Sequence, residues 1–138
     1  VLNKVIDGIS VKLNQIFGNE YEIYSEIVKQ DLKEPCFFIM PISFSINKKL
    51  NKHYKLHQSF DIHYFPSDTT DKNKEMQIVG IKLTEEMEYL TVDGMLVKGN
   101  SIRFNTVDDI LHFFINYDIG VYIPHNDVDM QTLIVNNE

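Results

Sequence analysis

Apolar residues at Leu2, Val5, Ile6, Ile9, Leu13, Ile16 and Phe17 recur every three or four positions, which predicts an amphipathic helix. Gly18-Asn19 then stops it, because glycine accepts the left-handed cap conformation. From Glu20 to Val28 the period drops to two. Tyr21, Ile23 and Ile27 face one side and Glu20, Glu22 and Glu26 the other, the pattern of a half-buried strand. A polar connection, Gln30 to Pro35, leads into a second strand, Cys36 to Ile46. Its apolar residues alternate (Cys36, Phe38, Met40, Ile42, Phe44, Ile46), with Phe37 and Ile39 filling the other side at its start. Pro41 lacks the N–H a ladder needs, so this strand belongs at an edge or carries a bulge. A lysine-rich turn, Asn47 to Lys52, joins it to a third strand, His53 to Phe65. There Tyr54, Leu56, Phe60, Ile62 and Tyr64 oppose His53, Lys55, His57, Ser59, Asp61 and His63. The pair predicts a long antiparallel hairpin with a basic tip.

The loop from Pro66 to Asn73 precedes a second helical stripe of Met76, Val79, Gly80, Leu83, Met87 and Leu90, with Asp71 or Asn73 as its cap. Asp93-Gly94 signals a tight hairpin, and Asn100 to Thr106 a strand with Ile102 and Phe104 inward. Val107 to Ile115 fits both periods. The run Phe113-Phe114-Ile115 favours strand over helix. Val121 to Ile123 is a short strand ended by Pro124, and a tail with Met130, Leu133 and Ile134 suggests a short helix. Together these elements predict an α+β fold: a mainly antiparallel sheet with two amphipathic helices packed on one face, and a long β-hairpin.

Size narrows this to a single domain over residues 1–138. One cysteine excludes an intramolecular disulfide framework. No apolar run approaches a membrane span, and the first residues carry no export signal, so a soluble intracellular domain is expected. A formal charge of −7 argues against a dedicated nucleic-acid surface. That charge is uneven. Residues 47–74 carry six lysines against three aspartates, whereas residues 105–138 carry six acidic residues and no basic one. Two patches of opposite sign suit either ordinary solvation or a head-to-tail contact between copies, which closes into rings or extends into filaments. Lys48, Lys49, Lys52 and Lys55 on the hairpin, with Asp127 and Asp129 in the acidic end, are the candidate contact residues.

The search for chemistry yields little. No phosphate-binding glycine loop, nucleophile elbow or zinc-protease motif occurs. His53, His57, Asp61 and His63 share one strand face. Alternate positions lie roughly 7 Å apart, too far for Asp61 and His63 to share a metal unaided. His112 with Asp108 and Asp109 suggests an acid–base pair, but no nucleophile has a specific setting beside it. Cys36 is expected as a buried, inert thiol. No catalytic residue, metal or cofactor is therefore assigned.

Several less generic runs carry a resemblance. They are Ile16-Phe17-Gly18 closing the first helix, the segment Gln30-Asp31-Leu32-Lys33-Glu34-Pro35-Cys36-Phe37-Phe38-Ile39, and Tyr64-Phe65-Pro66. Asp109-Ile110-Leu111-His112-Phe113 with Tyr117, then Met130 with Leu133, complete the set. In these the chain resembles the tail terminator proteins of contractile-tail phages, prophages and phage-tail-like bacteriocins of Gram-positive bacteria. The resemblance implies a structural protein rather than an enzyme: a ring, commonly hexameric, at the head-proximal end of the tail tube. Such a ring ends tube polymerisation, touches tube and sheath, and in phages presents a surface to the head connector. It implies residence in the virion tail after assembly in the host cytoplasm, and no membrane or specific nucleic-acid partner. Another head–tail connector or tail-completion protein is the nearest alternative, and a small metal-binding protein or enzyme using the histidine face a more distant one.

Overall fold

The helical stripe forms α1 (Leu2–Phe17), and Gly18 ends it with a φ of 82° and an amide bonded to the Asn14 carbonyl at 2.9 Å. This computed structural model describes residues 2–25, 32–124 and, as backbone, 134–136. Val5, Ile9 and Leu13 of α1 are fully buried. Among the described residues, the period-two segment that follows is strand over β1 (Glu22–Tyr24), paired in parallel with the start of β2 (Cys36–Lys48), and Glu26 to Val28 lie outside them. β2 and β3 (His53–Phe65) make the long antiparallel hairpin the alternation predicts. Asn51 and Lys52 turn its tip with φ of 56° and 64°.

α2 (Lys72–Glu86) starts at Asp71, whose side chain makes no capping bond, and ends at Met87. Leu90, which continues the helical spacing in the sequence, instead lies in β4 (Tyr89–Val92). β4 turns through Asp93-Gly94, both at positive φ, into β5 (Met95–Val107). β5 turns through Asp108-Asp109, at φ 53° and 59°, into β6 (Ile110–Tyr122). Aspartate is among the few residues that tolerate this conformation, and two in a row build the tight turn that suits strand twist. Residues 107–115 are therefore a strand end, a hairpin turn and a strand start. Val121 continues β6 and forms no separate strand. Ile134, read from sequence as part of a tail helix, belongs to β7 (Ile134–Asn136) beside the end of β6, whereas Met130 and Leu133 lie outside the described residues.

The sheet order is β1-β2-β3-β6-β5-β4, antiparallel except at β1–β2, with β7 added to β6. Both helices pack on one face. Val5, Ile9 and Leu13 of α1 and Met76, Val79 and Leu83 of α2 share one cluster with Leu56, Phe60, Ile62 and Tyr64 of β3, with alternate β6 residues from Leu111 to Val121, and with Ile123 just after it. Rings of Phe17, Phe37 and Tyr64 stack at 4.8 and 4.9 Å between centroids, fastening the end of α1 to the hairpin root.

The hairpin departs from simple alternation at Pro41, as the sequence anticipates. Pro41 pairs with Phe60 but Ser43 with Ser59, so Ile42 is an extra residue and the ladder bulges. One extra residue swaps the faces. Cys36, Phe38 and Met40 lie on the face away from the helices, opposite Phe65, His63 and Asp61. Phe44 and Ile46 lie on the helix side, opposite Gln58 and Leu56. Every residue from Pro41 to Leu50 is exposed, including Ile42 at 53%, Phe44 at 38% and Ile46 at 42%. Beyond Phe38, β2 has no outer partner among the described residues. Beyond the bulge β2 is thus an exposed outer strand laid on β3, which stays paired with β6 and buried at Leu56 and Gln58, with lysines at the hairpin tip.

Candidate functional site

Away from the helices, β3 and β6 place their polar residues side by side. Their register sets His63 opposite His112, Asp61 opposite Phe114 and His57 opposite Asp118. Two clusters result. In the first, His63 Nε2 donates to Asp61 Oδ2 at 2.8 Å and His112 Nδ1 donates to the same oxygen at 3.0 Å. The two imidazoles meet edge-on, 4.4 Å between centroids. Asp61 is buried, which alone would raise its carboxyl. The hydrogen bonds and positive character of His63 and His112 outweigh that and hold it below the usual value. The rings of Phe38 and Phe65 lie against His63, and Phe114 stacks on His112. Arg103 of β5 covers the Phe114 ring at 4.6 Å.

This geometry corrects two expectations. Asp61 and His63, two residues apart on one strand, do converge, because their side chains lean toward each other across the intervening residue. His112 joins them rather than Asp108 and Asp109, which turn the hairpin behind it. Strand pairing supplies the third member, from 51 positions along the chain.

The second cluster is a polar ladder across four strands. Asn47 of β2 donates to His57 Nε2 at 3.0 Å, His57 Nδ1 donates to Asp118 Oδ1 at 2.8 Å, and Asn100 of β5 donates to Asp118 Oδ2 at 3.1 Å. Asn47 as donor and Asp118 as acceptor fix His57 as the Nδ1–H tautomer. Neither Asp118 nor Asn100 stands out in the sequence, and only the β3–β6 register for Asp118 and the β5–β6 register for Asn100 could have found them. The His53 ring lies 5.3 Å from that of Tyr122. Cys36 is buried, as expected. Burial first, then the nearby Glu34 and Glu22 carboxylates, pushes its thiol up to about 11, far from the thiolate a nucleophile needs.

The predicted contact residues divide. Lys48, Lys49 and Lys52 surround the hairpin tip and are exposed, and Lys52 Nζ also donates to the Pro124 carbonyl at 2.9 Å. Lys55 is half-buried on β3 opposite Gly120. Asp127 and Asp129 lie outside the described residues. Among the described acidic residues, Asp108 and Asp109 sit exposed at the far end of β6 from the lysine tip. The thirteen-residue strand between them spans roughly 40 Å.

The helix-backed sheet thus carries an exposed outer strand, with lysines at one end and aspartates at the other. Residues 4–129 match the family described as phage tail terminator protein, and the chain belongs to that family. Membership gives it a structural role in ending a phage tail, association with other tail components and a place in the virion tail. No curated protein matches the chain.

Proposed function

We propose that this chain closes the head-proximal end of a contractile phage tail, or of a headless tail-like bacteriocin particle, as a hexameric ring. Residues 1–138 act in this reading as one tail-terminating domain. The ring stops addition of tube subunits, meets the last tube and sheath layers, and where a head exists presents its other side to the head connector. Assembly takes place in the host cytoplasm.

One observation carries the reading: the outer half of β2, with Ile42, Phe44 and Ile46 exposed and lysines at the hairpin tip. An outer strand with apolar side chains in water and an edge unpaired among the described residues gains by lying on a neighbour. Rings need two different, complementary patches on each subunit. Lys48, Lys49, Lys52 and Lys55 supply one. Asp127 and Asp129, with Asp108 and Asp109 at the opposite sheet end, supply the other. The free outer edge of β2 offers a second mode of contact, strand addition to a β-rich tube.

Negative-stain microscopy and native mass measurement, alone and with purified tail tubes, test the proposal. A closed ring or a cap on the tube end is expected. A chain that stays monomeric and never binds tube ends overturns it, and a label found only on the portal side would make it a head–tail joining protein instead.

A further inference from the structure

We propose that Asp61, His63 and His112 form a binding site for one divalent transition-metal ion of the zinc, cobalt or nickel type. One ligand atom from each of the three lies within 4.8 Å of the others, close enough to converge on a single ion. Two imidazoles and one carboxylate select late first-row metals over magnesium and calcium, which prefer oxygen-only shells. The ligands stand on β3 and β6, the two long neighbouring strands at the centre of the sheet, so the backbone fixes their relative positions before any ion arrives.

A second feature of the site points to a ligand. Asp61 Oδ1 is buried and has no hydrogen-bond partner, while Oδ2 carries both imidazole donors. A buried carboxylate oxygen without a partner is costly, and a cation satisfies it directly. The surroundings suit a bound ion. Phe38, Phe65 and Phe114 pack against the two imidazoles and restrict their rotation. The imidazoles keep 17% and 21% side-chain exposure, which leaves an entry path and an open position for water.

Binding asks for a modest rearrangement. The nitrogens that donate to Asp61, Nε2 of His63 and Nδ1 of His112, give up their protons and turn lone pairs to the ion, each ring then carrying its one proton on the other nitrogen and releasing any second one to water. The ion then ties β3 to β6 across the face that bears no helix among the described residues. The inference stands apart from tail termination, and its test reads metal alone.

The full chain, stripped with a chelator, is titrated with Co²⁺ and followed by ligand-field absorption, then challenged with Zn²⁺ and Mg²⁺. Saturable binding of one Co²⁺ per chain is expected, displaced by Zn²⁺ and not by Mg²⁺. Asp61→Asn and His112→Gln should each weaken binding at least about tenfold, whereas His57→Gln, in the separate ladder, should leave it unchanged. Circular dichroism of each variant shows whether the fold is kept. Absence of saturable Co²⁺ binding by the unaltered chain overturns the proposal without reference to any variant. So does binding that survives both His63→Gln and His112→Gln. Either result would leave the cluster as a hydrogen-bonded tie between strands.

Discussion

The Tyr64 hydroxyl donates to Glu75 Oε2 at 2.6 Å, joining the end of β3 to the first turn of α2. The same carboxylate accepts from the Ser67 amide at 2.8 Å and from the Ser67 hydroxyl, so it organises the loop between the two elements. Burial works to raise the Glu75 carboxyl. The bonds from Ser67 and Tyr64, with Lys72 nearby, outweigh it and hold the group below its ordinary value. Burial, reinforced by Glu75, pushes the Tyr64 phenol well above its own.

Replacing Glu75 with Gln should cost about 1–3 kcal/mol, the range for a charge-assisted hydrogen bond whose partners stay half-buried. The pH dependence has a definite sign. A carboxyl lowered in the folded state adds stability that is fully present above its unfolded value and is lost as pH falls through the folded one. Urea unfolding between about pH 7 and pH 3 should therefore show a shallower acid decline in Glu75→Gln than in the parent chain. Equal declines would show that Glu75 does not contribute to the acid limb.

Gly80 lies in the middle of α2, where alanine is ordinarily better by about 1 kcal/mol. Here a Cβ would stand 2.6 Å from Phe104 Cε1 and 2.7 Å from its Cδ1. Gly80→Ala should thus destabilise, by roughly 1–3 kcal/mol for an overpacked contact. Phe104→Leu in the same chain should recover part of the loss, which thermal melts of the single and double variants would measure.

Gln58 is fully buried on the helix side of β3, between Phe44 and Tyr117 in register, and neither its amide nitrogen nor its oxygen has a hydrogen-bond partner among the described residues. Its desolvation is uncompensated. Gln58→Met, similar in shape and without the polar atoms, should raise stability by about 1 kcal/mol, seen as a higher urea midpoint with an unchanged slope. A loss of stability would mean that the amide has a partner in the folded protein.

The head-to-tail reading makes a reciprocal prediction. Reversing Lys48, Lys49 and Lys52 to Glu should weaken self-association while leaving the circular dichroism spectrum unchanged. Reversing Asp108 and Asp109 to Lys should weaken it too, at a cost in stability because both hold a turn at positive φ. Combining both reversals in one chain should restore association in sedimentation measurements. Assembly indifferent to either reversal removes the charge pairing from the proposal.

The sequence is most legible where one local rule decides the outcome. The α1 stripe, Gly18, Asp93-Gly94 and the Pro41 irregularity each follow from spacing or backbone chemistry. Leu90 misleads because it keeps helical spacing from Met87, and nothing local marks the end of α2 before it. Phe44 and Ile46 change faces because the bulge shifts the period by one, and Pro41 announces a bulge without showing which residue is the extra one. The clusters around Asp61 and Asp118 are less legible still. His112 and Asn100 reach them only through pairing between distant strands, and a single sequence does not print a register.

The bulge at Ile42 also separates two histories of change. Before it, β2 answers to the core: Phe37 and Ile39 are fully buried, and an altered side chain there is felt by the whole fold. After it, the β2 side chains are exposed throughout residues 41–50, with Asn47 still tied to His57. Substitutions at the other exposed positions weigh less on folding stability than those before the bulge, so one strand holds a part bound to the core and a part open to change. A single inserted residue draws the line between them.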